Sequence, residues 1–315
     1  MRPALTIVVP LYNSEETIER LLRELTALPV DGGCELVLVN DGSRDNTAAA
    51  CEKLMMQYAC PIKLVKLARN FGEHNAVMAG LRHARGAHVV TMDDDLQNPT
   101  SEVLKLLSHA RATGCEVVYS YYEKKQHQGW RNLGSWLTNS VADLLLDKPK
   151  GLYLSSFRCM SAFVATEICR YEGPFAYVDG LILQVTQNIG RVLVTHAPRE
   201  SGQSGYTIGR LLKLWLNMFV NFSVMPLHLA TLLGFALAAA GFLFTIAVVA
   251  ERYWYKTPLG WGSLMAAILV FSGTQLLVLG MAGEYIGRIY LTVNKRPQSV
   301  TREVVENGAT PGNNS

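Results

Sequence analysis

Two stretches near the C-terminal end, Leu229–Ala250 and Leu259–Gly283, contain no charged residue at all. A helix rises about 1.5 Å per residue, so each is long enough to cross a hydrocarbon layer of about 30 Å. Buried helices of soluble proteins seldom run so far without a charge. The pattern predicts a transmembrane hairpin over residues 227–290, with spans at about 229–250 and 261–283. Arg210 and Lys213 precede the first span, and Arg288, Lys295, Arg296 and Arg302 follow the second. The connector carries Glu251, Arg252 and Lys256. The excess of Lys and Arg on the flanks favours a multi-pass arrangement with both flanks in the cytoplasm. Ahead of the hairpin, Ile208–Phe222 places Leu211, Leu212, Trp215, Phe219 and Phe222 on one helical side, which predicts an amphipathic juxtamembrane helix over 208–226. No basic segment followed by an apolar run opens the chain, so no signal peptide is expected.

The residues before the hairpin read as a mixed soluble domain, 1–207. Leu5–Val9, Leu36–Val39, Ile62–Leu67 and His88–Met92 are predominantly apolar runs, the mark of strands buried on both faces. Helices are expected between them. The first is capped by Asn13 with Glu16 at the third position and has Ile18, Leu21, Leu22 and Leu25 on one face; the others cover Thr47–Tyr58 and Glu73–Ala84. Such alternation predicts an α/β fold with a mostly parallel, Rossmann-like sheet. Later elements are a strand at Val117–Ser120, helices at Gly129–Leu146 and Ser161–Glu172, and a strand at Val192–His196. The polar tail, 291–315, is expected on the cytoplasmic side and disordered from Glu303 onward. The six cysteines show no Cys-x-x-Cys spacing and read as free thiols. With a net charge of +3 and no basic-aromatic stripe, nothing points to nucleic acid.

Parallel sheets bind ligands beyond the carboxyl ends of their strands. Three polar clusters fall there: Pro10–Asn13, Asp41–Ser43 and Asp93–Gln97. Asp93, Asp94 and Asp95 would repel one another unless a cation held them. Mg²⁺ or Mn²⁺, which takes one or two carboxylates plus substrate phosphates, suits such a cluster. Asp95 is the expected ligand, with Gln97 second and Asp93 directed to a ribose or the ion. Asp94 is expected to face away, since successive strand side chains alternate. Tyr12 can stack on a base, and Asp41 can accept hydrogen bonds from a base or ribose or simply close an Asx-turn.

These residues carry a family resemblance. Val8-Val9-Pro10-Leu11-Tyr12-Asn13, Asn40-Asp41-Gly42-Ser43, Arg69-Asn70-Phe71-Gly72, Asp93–Pro99 and Gly283-Glu284-Tyr285-Ile286-Gly287-Arg288 resemble glycosyltransferase family 2. Within it they are similar to the polyprenyl-phosphate glycosyltransferases, the dolichol-phosphate-mannose-synthase-like group with two C-terminal spans. The resemblance implies a GT-A fold, a nucleotide-diphosphate sugar donor (a UDP-sugar in bacterial members), a bridging metal, and a membrane acceptor such as undecaprenyl phosphate. It implies inverting transfer at the cytoplasmic face of a bacterial inner membrane, serving cell-envelope glycans, with homo-oligomers open to the group. By position, Pro10, Tyr12, Asp41, Ser43 and Asp93 would bind the nucleotide sugar. Asp93, Asp95 and Gln97 would serve the metal. Lys125, Arg131, Arg158, Arg199 and Ser204 would handle the acceptor phosphate, with Asp93, Asp95, Arg131 and Arg158 forming the catalytic set.

The chain departs from the family pattern at four places. Ser14 stands where Glu is usual, Tyr122 where Arg is usual, Ser156 where a motif aspartate is usual, and Gly205 where Lys is usual. Loss of that aspartate need not abolish transfer, because a phosphate monoester with a second pKa near about 6 is already a dianion at neutral pH. Two alternatives remain at this stage. A non-catalytic membrane partner would retain nucleotide binding alone. A processive polysaccharide synthase would need a Gln-x-x-Arg-Trp motif, and Gln128-Gly129-Trp130-Arg131 has the wrong order.

Overall fold

The computed structural model describes residues 2–122, 152–195, 225–255 and 260–307. The chain divides into two compact units: Met1–Tyr206 together with Lys295–Ser315, and Thr207–Asn294. The first unit is built on one eight-stranded sheet in the order β7-β5-β6-β4-β1-β2-β3-β8. Strands β1 (Leu5–Leu11), β2 (Cys34–Asn40), β3 (Ile62–Leu67) and β4 (His88–Thr91) run parallel, and β1 pairs with both β2 and β4. That is the place in a doubly wound sheet where a crevice opens past the strand ends. β6 (Arg158–Ser161) runs antiparallel between β4 and β5 (Val117–Tyr121), and β7 (Ile189–Leu193) is parallel to β5.

Each face of the sheet is sealed by helices whose apolar spacing the sequence displays. Ile18, Leu21, Leu22 and Leu25 of α1 (Ile18–Thr26) pack on the β1 face carrying Leu5, Ile7, Val9 and Leu11, as do Val103, Leu106, Leu107 and Ala110 of α4 (Glu102–Thr113). α2 (Thr47–Met55) adds Cys51 and Met55. On the opposite face α3 (Glu73–Leu81) lies close to β1 and β2. A methyl group at Gly80 would sit 2.4 Å from Val8 Cγ1 and 2.9 Å from Val39 Cγ2. Two short helices, α5 (Ala162–Ile168) and α6 (Val178–Val185), complete this layer.

Several expectations are corrected. Asn13 does not cap α1: it adopts a left-handed φ of 55°, and the helix begins at Ile18 after a turn in which Ser14 O accepts from Thr17 N and Ile18 N. β6 and α6 are elements the apolar pattern did not disclose. As far as Asn307, the tail is ordered where disorder was expected. β8 (Thr301–Glu306) pairs antiparallel with β3, Lys66 Nζ meets Glu303 Oε2 at 2.8 Å, and Asn307 closes the strand. The Asn307 side chain accepts from Ile62 N at 2.6 Å and donates toward the carbonyls of Met55, Tyr58 and Cys60. Gln298, 4% exposed, donates to Gly173 O and accepts from Arg82. The expected helix at Gly129–Leu146 and residues 208–224 of the juxtamembrane segment lie outside the described residues.

The second unit contains two helices of more than thirty residues, α7 (Met225–Tyr255) and α8 (Trp261–Val293), which pack on each other. Among the described residues one segment, Val270–Val293, is long and apolar enough to cross a membrane, and Ala230–Phe244 is a shorter apolar stretch. Leu232, Phe235, Phe242, Leu243, Leu276 and Leu279 are exposed on these helices. Glu284 and Arg288 form the expected i,i+4 pair, with Arg288 Nη2 donating to Glu284 Oε1 at 2.9 Å.

Candidate active site

The three polar clusters meet at the carboxyl ends of β1, β2 and β4, and hydrogen bonds stitch them together. Asn13 N donates to Ser43 Oγ (3.1 Å), and Arg44 N donates back to Asn13 Oδ1 (2.9 Å). Asn40 Oδ1 accepts from Ser43 N at 3.1 Å. Ser14 Oγ donates to Asp94 Oδ2 and accepts from Tyr12 N at 3.1 Å. Asp94 therefore turns to the β1 loop, away from the partner of Asp93. The alternation argument reached this direction, but the aspartates lie past the last strand residue, Thr91, in a bend where Leu96 takes a φ of 57°. Asp95 Oδ1 accepts from Gln97 N at 3.2 Å within that bend. Tyr12, 43% exposed, presents an open ring above the β1 end, and Pro10 pairs with Val39 inside the sheet.

Asp41 is 3% exposed and organises a loop. Its two carboxylate oxygens accept from Phe71 N (2.7 Å) and Gly72 N (2.9 Å), the end of the Arg69-Asn70-Phe71-Gly72 motif. Burial raises its carboxyl, against the pull of those two N–H groups. Gly42, at a φ of 63°, lets this loop come close: a Cβ there would lie 2.5 Å from the Arg69 carbonyl carbon. The Arg69 guanidinium sits 4.6 Å over the Phe71 ring.

Asp93 is held by Ser156, whose Oγ donates to Asp93 Oδ2 at 2.6 Å. The residue that replaces the motif aspartate is thus a donor to a site carboxylate. Its backbone is fixed by Thr91 Oγ1, which donates to Ser156 O at 2.6 Å, and Ser155 is tied to Ser120 at 2.9 Å. Burial, with the Asp95 and Asp94 charges behind it, pushes the Asp93 carboxyl up to about 6, against the pull of Ser156 and Arg158. Glu73, at the start of α3, was not singled out by sequence reasoning. It is recessed yet meets solvent, and burial plus the Asp93 charge lift its carboxyl to about 7. Its position directly after the Arg-Asn-Phe-Gly loop was the available signal. His74, left as structural, meets the Tyr177 ring edge-on at 5.1 Å, and burial brings it down to about 4.

Arg158, expected on the acceptor phosphate, is 1% exposed and its Nη1 pairs with Asp179, which also accepts from Tyr119 OH at 2.9 Å. Asp179 was missed, although an acid at the head of the apolar run Val178–Val185 signals a buried partner. Tyr122, in place of an arginine, donates to Asn98 Oδ1 at 2.7 Å. Lys125, Arg131, Arg199, Ser204 and Gly205 lie outside the described residues. Among the described residues no three acidic, histidine or cysteine groups converge as a metal cage. The acidic run nevertheless fits an ion of the kind that takes one or two carboxylates and completes its shell with phosphate oxygens and water. The Asp93 carboxyl, pushed up by burial and by the Asp95 and Asp94 charges, is what such an ion would relieve.

A GT-A-type α/β domain with an acidic mouth past β1, β2 and β4 is the class that fold and geometry define. The family model described as "Glycosyl transferase family 2" matches residues 6–165. The undecaprenyl-phosphate 4-deoxy-4-formamido-L-arabinose transferase of Pseudomonas fluorescens (strain SBW25) is 34% identical, over 96% of this chain and 90% of its own. The transferase of the same description from Pseudomonas aeruginosa (strain LESB58) is also 34% identical, over 97% and 91%. The chain belongs to glycosyl transferase family 2, and is a glycosyltransferase. The crystal structure of glucosyl-3-phosphoglycerate synthase from Mycobacterium tuberculosis with Mn²⁺, uridine-diphosphate-glucose and phosphoglyceric acid covers 68% of this chain and 76% of its own, at 21% identity and a TM-score of 0.51. That likeness is one of fold.

Proposed function

We propose that this protein transfers a sugar, with inversion, from a UDP-sugar to undecaprenyl phosphate at the cytoplasmic face of a bacterial inner membrane. The observation that carries this reading is the acidic run after β4 laced to the β1 and β2 loops, in a chain that also holds a helix segment apolar enough to cross a membrane. The names of the Pseudomonas relatives support the acceptor class and make UDP-4-deoxy-4-formamido-L-arabinose the first donor to try.

In this reading Tyr12, Pro10 and Ser43 line the nucleoside site, while Asp41 shapes it by fixing Phe71 and Gly72. Asp95, Asp93 and Gln97 would hold Mg²⁺ or Mn²⁺. When bound, the ion supplies charge neutralisation for the departing diphosphate. Lys125, Arg131, Arg199 and Ser204 would orient the acceptor phosphate. One of its oxygens attacks the anomeric carbon from the face opposite the leaving group. The new C–O bond forms as the bond to the diphosphate breaks, and UDP departs with that electron pair. The acceptor arrives as a dianion, so no base need remove a proton, and the protein's task is alignment and charge balance. The hairpin (spans about 229–250 and 261–283) and the juxtamembrane helix would tether the chain to the membrane in which an isoprenoid phosphate lies.

The test is transfer from a panel of UDP-sugars into organic-extractable undecaprenyl phosphate, with Mn²⁺ or Mg²⁺ and then with excess EDTA. A metal-dependent lipid-linked product supports the reading. Donor binding with no product from any sugar would make the chain a non-catalytic partner, and undiminished turnover in EDTA would remove the ion.

A further inference from the structure

A buried ion pair lies directly beside the acidic run. Thr91 of β4, Arg158 of β6 and Tyr119 of β5 stand side by side in register across the sheet. Residues directly opposite in neighbouring strands share a face, and the chain passes from Thr91 to Asp93 in two steps. Ser156, two residues before Arg158, already donates to Asp93 at 2.6 Å. Arg158 is therefore a permanent cation near the Asp93 carboxylate, and its charge is felt there and at Glu73. A guanidinium cannot escape burial by losing its proton, so it needs a partner.

Two carboxylates compete for that partnership. A guanidinium close to an aspartate forms a bidentate pair when nothing prevents it. If Arg158 closed on Asp93, it would occupy the oxygens and the charge that a divalent ion requires. It does not: Nη1 is engaged by Asp179, Tyr119 OH braces the same Asp179 oxygen, and the guanidinium lies 5.8 Å over the Tyr119 ring. Arg158 Nε, wholly buried, has no hydrogen-bond partner. The guanidinium has thus given up one of its bonds to stay in this position. We propose that Asp179 is a positioning residue that holds Arg158 off Asp93 and so keeps the Asp93 carboxylate open to a divalent cation. The inference rests on the metal-dependent reading of the site and assigns Asp179 no contact with ion or substrate.

The experiment is a titration of free Mn²⁺ by electron paramagnetic resonance, on full-length protein in detergent with UDP present, with thermal unfolding as the check on folding. Asp179→Asn should lower Mn²⁺ affinity by about tenfold or more, the usual scale for removing a group that orients a metal ligand. The double variant Asp179→Asn/Arg158→Met, which removes both buried charges, should recover affinity to within about threefold of the parent. Asp179→Glu should rescue most of the single loss. A folded Asp179→Asn protein that binds Mn²⁺ like the parent overturns the proposal. If the single variant does not fold, a folded double variant without Mn²⁺ affinity overturns it equally. Failure of the parent protein to bind Mn²⁺ with UDP would instead strike at the metal-dependent reading itself.

Discussion

Asp93 and Glu73 are carboxyls that the fold holds toward the neutral form. Each has its folded pKa raised above the value it would have in an unfolded chain. Their stabilising contribution is therefore complete at low pH and is lost as pH rises from about 4 toward about 7. Replacing Glu73 with Gln fixes that position in a neutral form. Glu73→Gln should melt later than the parent at pH 8 without added metal, with the difference fading by pH 4. A full pK unit corresponds to ~1.4 kcal/mol, and because Glu73 meets solvent a net gain of about 1 kcal/mol is the realistic scale. A parallel series of melts across pH checks it; equal differences at pH 4 and pH 8 would refute the assignment. On the proposed reading Asp95→Ala carries the complementary expectation: loss of transfer by at least about a hundredfold with melting lowered only slightly. Its carboxylate would serve the ion and otherwise accepts from Gln97 N in the bend, outside the core. The acidic run and the loops after β1 and β2 were legible because charge crowded against a buried strand has few causes. Glu73 and Asp179 were not, because their meaning comes from what the fold brings beside them.

Elements differed in legibility for a comparable reason. β1 to β4 announce themselves as largely apolar runs, broken by Glu35 in β2 and by Lys63 and Lys66 in β3, because both faces of the central sheet are covered. β6 is four residues, Arg-Cys-Met-Ser, and opens on a charge whose partner lies on another element. β8 reads Thr-Arg-Glu-Val-Val-Glu, an edge strand with polar side chains facing solvent, which in sequence is indistinguishable from a tail. Asn13 and Glu16 offered a capping box, yet Asn13 is used to join two loops instead. Two packing predictions follow from contacts the sequence hides. Gly80→Ala gains about 1 kcal/mol of helix propensity but drives a methyl into Val8 and Val39, where overpacking costs about 1–3 kcal/mol. The clash should win, and the melting temperature should fall. Asn307→Ala removes four contacts in which two N–H hydrogens serve three carbonyls, so a loss of about 2 kcal/mol is expected by denaturant titration.

The unit that carries the sheet is discontinuous in sequence: its last described strand comes from beyond the two long helices, which leave large apolar side chains exposed. Two long helices were legible from the missing charges alone; the return of the chain to the sheet was not, since no local pattern encodes a strand pairing across so many residues. This arrangement makes a prediction about how the domain can be separated from its helices. A chain ending at Tyr206 would leave the β3 edge unpaired, Lys66 without Glu303, and the carbonyls of Met55, Tyr58 and Cys60 without Asn307. A chain in which residues 207–294 are replaced by a flexible Gly/Ser linker, joining Tyr206 to Lys295, would keep all of these. Net hydrogen bonds contribute about 0.5–1.5 kcal/mol each, so the ladder and the Asn307 clasp together give the linked chain an advantage of several kcal/mol. The linked chain should unfold cooperatively at the higher temperature, and the truncated one should expose its edge and aggregate. Equal melting temperatures for the two, measured side by side in the same buffer, would mean that the C-terminal strand is an ornament on a sheet complete without it.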